Sequence, residues 1–190
     1  GNAIRRCFIN GEAYNGVRAF GQAISHLLLE KNTIECQSGI RLEGQFASSD
    51  LLQPIIRGNS ISLPDGVSDG IELIRVDGAQ IDGNQIFSDN RAIRVLFCTS
   101  IARQTLISNN FVVASGSSAI ALDIFDGNSN INIYHNSLNA YGFRNLSSRG
   151  MRVVSSNSGL RLFNNSITNL GQGFAVEIEA PSSIIASDHN

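Results

Sequence analysis

Along this chain, apolar and polar residues alternate in short bursts that return at a nearly fixed interval. In INIYHNSLNA, residues 131–140, Ile131, Ile133 and Leu138 are apolar and Asn136 stands between them. LRLFNNSI, residues 160–167, repeats the rhythm around Asn165. Aligned on that asparagine, the anchors are Asn2, Asn32, Asn59, Asn84, Asn110, Asn136, Asn165 and Asn190, spaced by 30, 27, 25, 26, 26, 29 and 25 residues. An apolar residue follows two positions later (Ile4, Ile34, Ile61, Ile86, Val112, Leu138, Ile167), and another precedes by three (Leu29, Ile56, Ile81, Ile107, Ile133, Leu162). The last anchor departs from this, with Ser187 in the preceding place.

A second unit lies between successive anchors: a small residue, an apolar one, any residue, then another apolar one. Its copies are GVRA, GIRL, GIEL, AIRV, AIAL, GMRV and AVEI, starting at Gly16, Gly39, Gly70, Ala92, Ala119, Gly150 and Ala175. Both units alternate with period two, so each predicts a short strand with one buried face. No stretch between them has helical periodicity. A repeat of about 26 residues built only of strands and turns is a coil of a β-solenoid, with parallel pairing between coils. About seven coils are expected. The asparagine belongs at a sharp turn between sheets, because Asn tolerates left-handed backbone and bonds to local backbone groups. Stacked coils then place one side-chain amide above the next as a ladder of buried hydrogen bonds over Asn32, Asn59, Asn84, Asn110, Asn136 and Asn165.

The I-x-x-N-x-I units (Ile81, Asn84 and Ile86, for example) and the G-I-x-L units resemble the right-handed parallel β-helix of the pectate-lyase-like superfamily, over essentially all 190 residues. The resemblance implies an all-β fold, a right-handed parallel β-helix. It does not fix a reaction, because that superfold carries lyases, hydrolases, epimerases, tailspikes and adhesins. The polygalacturonase-type signatures N-T-D, D-D, G-H-G and R-I-K are absent, as is the D-P-H of alginate epimerases. SSIIASDHN, residues 182–190, is similar to coils of large secreted bacterial surface proteins. The rival fold is a leucine-rich repeat, whose L-x-L-x-x-N-x-L core is close to LRLFNNSI. Against it, Asn128 and Asn157 stand where that unit has its leading leucine, and G-I-x-L is a strand pattern where a helical turn belongs.

Composition narrows the function classes. Apolar residues are 42%, enough for a core, while charged residues are only 16% and the formal net charge is −2. No basic field is available for nucleic acid, and no apolar run is long enough to span a membrane. Cys7, Cys36 and Cys98 are odd in number and lack CxxC spacing, so a disulfide framework or zinc site is not expected.

Outward strand positions form columns, one residue per coil, and chemistry is sought there. The middle of the second unit gives Arg18, Arg41, Glu72, Arg94, Ala121, Arg152 and Glu177. The plain reading is an ion-pair ladder, Arg41–Glu72–Arg94 and Arg152–Glu177; the functional one is arginines clamping carboxylates of an acidic polysaccharide. A second column, two residues before the anchors, places Tyr134 beside Phe163, a platform for a sugar ring or simply an aromatic stack. Asp123 and Asp126 in LDIFDGN form the best local carboxylate cluster, and Asp65 and Asp69 come second. Glycoside hydrolysis needs two carboxylates, and the resemblance implies clustered Asp with calcium in the lyases; but Asp in Gly-containing turns is expected for backbone reasons alone. No cofactor is required by the sequence, calcium being the one ion these turns would suit.

The expected molecule is a single β-helix segment over residues 1–190, cut from a longer solenoid. It is expected to be a non-catalytic scaffold or adhesin, extracellular or at the cell surface, with polysaccharide as partner. Uncapped end coils also suggest end-to-end self-association. The alternative is part of a lyase or hydrolase acting on acidic polysaccharide.

Overall fold

In the computed structural model, which describes residues 2–11, 16–21, 26–44, 51–63, 69–99, 103–142, 146–154 and 156–190, the chain winds as an all-β parallel solenoid. Sheet A has eight strands, from Ala3–Arg5 to Ile184–Asp188. Sheet B has seven, from Phe8–Gly11 to Ser166–Asn169, and sheet C has seven, from Val17–Phe20 to Phe174–Ile178. A small parallel pair, Leu51–Leu52 with Val76–Asp77, extends one turn region. Seven stacked strands are joined by six pairings, so the solenoid makes about six turns, one fewer than the anchor count suggested. Three parallel sheets per coil replace the single sheet of a leucine-rich repeat.

Isoleucine, leucine and valine of the alternating units fill the interior. Leu29, Ile56, Ile81, Ile107 and Ile133 stack inside sheet A, Ile34, Ile61, Ile86 and Val112 inside sheet B, and Ile40, Ile71, Ile93 and Leu122 inside sheet C, all at 0% exposure. Each such side chain contributes about 1.5–3 kcal/mol by burial.

The asparagine ladder runs along the corner between sheets A and B. The backbone N–H and the Nδ2 of Asn84 both donate to Oδ1 of Asn110 at 3.0 Å. Its Nδ2 also donates to the Ile56 carbonyl at 2.9 Å, while its Oδ1 accepts from Asn59. The same bonds recur from Asn32 to Asn190. Two expectations need correction. The left-handed residue is not the asparagine but the one before it: Lys31, Gly58, Gly83, Asn109, His135, Asn164 and His189 have φ between 51° and 62°. That turn swings the asparagine inward, and it accounts for the two histidines beside anchors. The first rung is Cys7, not Asn2: its N–H donates to Asn32 Oδ1 at 3.0 Å, and Ile4 pairs with Leu29 as the residue three before it. Asn190 keeps register: Ser187 pairs with Leu162 as the residue three before the anchor, after a bulge between Ile184 and Ala186.

A second, shorter ladder stands at the corner between sheets C and A, and the repeat did not announce it. Asn128 donates through its N–H and Nδ2 to Asn157 Oδ1 at 3.0 and 2.8 Å, and Cys98 N–H donates to Asn128 Oδ1 at 2.9 Å. Cys98 acts as a rung itself. Its Sγ accepts from Val76 N–H at 3.4 Å and donates to the Leu73 carbonyl at 3.7 Å, as Asn128 Nδ2 does to Val95. Burial pushes its thiol up to about 12, so it keeps the proton it donates.

The small residue opening each sheet C unit sits where coils approach closely. A β-carbon at Gly39 would lie 2.0 Å from the Gly70 carbonyl oxygen and 3.0 Å from Ile61 Cγ2, and one at Gly70 2.5 Å from the Ala92 oxygen. Gly39→Ala is therefore expected to lower stability by about 2–3 kcal/mol, since backbone must move. An unchanged urea midpoint would show that the coils are not so tightly spaced.

Candidate functional site

The charged row lies on the outer face of sheet C, but one coil differs from the expected alignment. Arg94 pairs with Asp123, and Asp123 with Arg152. The fifth unit is thus ALDI, starting at Ala121, rather than AIAL, starting at Ala119. Ala121 falls in the column of small residues, and Asp123 takes the place in the charged column. The column reads Arg18, Arg41, Glu72, Arg94, Asp123, Arg152, Glu177, with the sign alternating from Arg41 onward.

From Arg41 to Arg152 these charges are spent on one another. Arg41 Nη1 reaches Glu72 at 2.7 Å, and Arg94 Nη1 reaches the other Glu72 oxygen at 3.3 Å. Arg152 grips Asp123 with two bonds, Nε–Oδ1 at 2.9 Å and Nη2–Oδ2 at 2.8 Å. The expected Arg152–Glu177 bridge does not form; Arg149 holds Glu177 instead, at 2.6 and 3.1 Å. Arg91 fixes Asp69 at 2.7 Å. Asp123 has no exposed surface at all. Phe125, two residues on, lies between the guanidinia of Arg94 and Arg152, at 5.0 and 5.5 Å from its ring centroid. Burial, then the Asp69 carboxylate, push Glu72 above the usual carboxylate range, against the pull of Arg41 and Arg94. Glu177 is held below it by the hydrogen bond from Arg149.

The remaining candidates lie elsewhere. Asp123 and Asp126 do not make a cluster. Asp123 is on a sheet C strand and not in a turn, whereas Asp126 lies in the following turn, where its carbonyl accepts from Phe97 N–H at 2.7 Å. Asp65 lies outside the described residues. Among the described residues, no group of three His, Cys, Asp or Glu side chains could hold a metal ion, so the lyase-like calcium set has no counterpart there.

On sheet A, Tyr134 and Phe163 are neighbours as their spacing predicted, with ring centroids 5.6 Å apart and tilted by 45°. Further along the same column Glu30 is bridged to Arg5 and Arg57, and Asp82 accepts from Ser108 Oγ and Asn109 Nδ2 at 2.7 and 2.8 Å. Beside the rings, on the same face, stand Asn132 and Arg161, which the sequence did not single out. Their signal was present as one position two before each aromatic residue. Among the described residues, no helix is long and apolar enough to cross a membrane.

The eight candidate residues thus divide among two faces and a turn: Arg41, Glu72, Arg94, Asp123 and Arg152 on sheet C, Tyr134 and Phe163 on sheet A, and Asp126 in the turn. No protein family, no curated protein and no solved structure matches the chain.

Proposed function

We propose that this chain is a segment of a non-catalytic β-solenoid scaffold or adhesin, secreted or displayed at a cell surface, that carries polysaccharide on a lateral face. Its I-x-x-N-x-I and G-I-x-L units resemble the pectate-lyase-like superfamily, and SSIIASDHN, residues 182–190, resembles coils of large secreted bacterial surface proteins. The observation that carries the non-catalytic reading is the sheet C row. Asp69, Glu72 and Asp123, the carboxylates a hydrolase or lyase would recruit there, are each occupied by guanidinia. A buried ion pair serves the sheet first. Polysaccharide binding is supported by the Tyr134–Phe163 platform. Stacking of coils between copies belongs to the same proposal, since parallel strand edges pair readily; native mass measurement against concentration tests it.

One observation favours the alternative, a carbohydrate-active enzyme on acidic polysaccharide: Glu72, raised by burial and by Asp69, has the environment of a general acid. The deciding experiment is a panel of pectate, alginate and glycosaminoglycans, assayed for binding by affinity electrophoresis and for cleavage by unsaturated or reducing ends. Binding without cleavage is expected. Cleavage that disappears in Glu72→Gln while binding persists would overturn the scaffold reading, and no binding to any member would remove polysaccharide from it.

A further inference from the structure

Among the half-buried strand arginines that the structure describes, Arg41, Arg91, Arg94, Arg149 and Arg152 each face a carboxylate. Arg161 faces none. Its side chain donates no hydrogen bond, and its Nη1 is shut off from solvent without an acceptor. Directly beside it in the sheet A register lies Asn132, 8% exposed. Asn132 spends its Nδ2 on Gln104 Oε1 at 2.6 Å, which leaves its buried Oδ1 without a donor. A folded chain normally pairs such groups, and leaving one unpaired is costly, more so for a charge. Here a buried donor and a buried acceptor stand without partners side by side, next to the tilted Tyr134–Phe163 pair. Ala186, the neighbour of Arg161 on the following coil, has only a methyl group to put there, and the nearby Asp188 carboxylate is turned to His189 Nδ1 at 2.9 Å.

We infer that Asn132, Tyr134, Arg161 and Phe163 form a binding subsite for one pyranose ring bearing an anionic group. The two rings take the C–H face of the sugar, while the half-buried Arg161 guanidinium turns outward to bring its fork to the anion and Asn132 turns with it so that Oδ1 accepts from a hydroxyl. This rests on the reading that the chain carries polysaccharide, and it moves recognition from the arginine row of sheet C, where charge is already neutralised, to sheet A. A carboxylate and a sulfate ester offer Arg161 the same chemistry.

The test is calorimetric titration of the whole chain with three probes: tetragalacturonate, a sulfated carrageenan tetrasaccharide and neutral cellotetraose. At least tenfold tighter binding of an anionic probe than of cellotetraose is expected, and which anionic probe binds tells carboxylate from sulfate. Arg161→Gln should abolish that preference, Phe163→Leu should weaken all probes severalfold, and Arg57→Gln, on the same sheet, should change nothing. Should Arg161→Gln fail to fold, Arg161→Lys takes its place, keeping charge but losing the fork, with at least a threefold loss expected. Unchanged anionic binding in the Arg161 variant, with or without a lower melting point, overturns the subsite, since Arg161 and Asn132 would then serve only the sheet. The polysaccharide reading survives that result as long as the wild-type chain still binds a member of the polysaccharide panel; a chain that binds none of them overturns both.

Discussion

Asp123→Ala is expected to lower the unfolding free energy by about 3–5 kcal/mol in a urea titration. Asp123 is fully covered and is the only carboxylate that Arg152 grips with two bonds; it also sits 3.8 Å from Arg94 Nε. Removing it leaves the guanidinia of the two flanking coils turned toward the same emptied site with Phe125 between them, and repulsion replaces attraction at a site with little water to screen it. Asp123→Asn keeps the shape and one acceptor but not the charge, so a smaller loss, about 2 kcal/mol, is expected. A loss under about 1 kcal/mol for the alanine variant would mean that the row is a surface ion-pair array of ordinary value.

Asn84→Ala is expected to cost a similar amount, about 3–5 kcal/mol, by a different route. The substitution removes the acceptor of both Asn59 N–H and Asn59 Nδ2, and the donor to the Ile56 carbonyl. Asn84 is 1% exposed, so water does not replace these bonds without opening the corner. The loss should exceed that of Asn32→Ala, because Asn32 lies next to the end coil, where Cys7 supplies only a backbone N–H to the ladder.

Much of this architecture was legible because a solenoid writes its packing into the chain once per coil. Six interior asparagines and the inward Ile, Leu and Val of each strand recur often enough to fix the register by repetition. Where repetition thinned, the reading failed. Asn2 followed by Ile4 fits the anchor pattern, yet Ile4 serves the other column, and the true first rung is a cysteine. Nothing in a sequence marks Cys7 as an asparagine surrogate until Cys98 shows a thiol accepting and donating as an amide does. SAIALDIF offers two overlapping small–apolar units, and only pairing with Arg94 and Arg152 selects the one that begins at Ala121. The second ladder has just two asparagines, too few to stand out as a repeat. The sheet C row was visible as alternating charge, but which arginine meets which carboxylate depends on the two-residue shift at Ala121. Arg161 was invisible for a deeper reason: its interest lies in lacking a partner, which is a property of three-dimensional surroundings and not of spacing.

Buried asparagine rungs hold the coils together, while outward amides within reach of water do not. Residues 136 and 139 test it within one stretch. Asn136 bridges Asn110 and Asn165 and donates to the Ile107 carbonyl at 2.9 Å, at 2% exposure. Asn139 points outward from sheet B, bonded to Ser137 Oγ, the Val112 carbonyl and Thr168 Oγ1, where water can substitute. Urea unfolding of Asn136→Ala and Asn139→Ala, measured side by side, should give a loss of about 3–5 kcal/mol for the first and under about 1 kcal/mol for the second. Equal losses, or a wild-type midpoint for Asn136→Ala, would contradict the ladder.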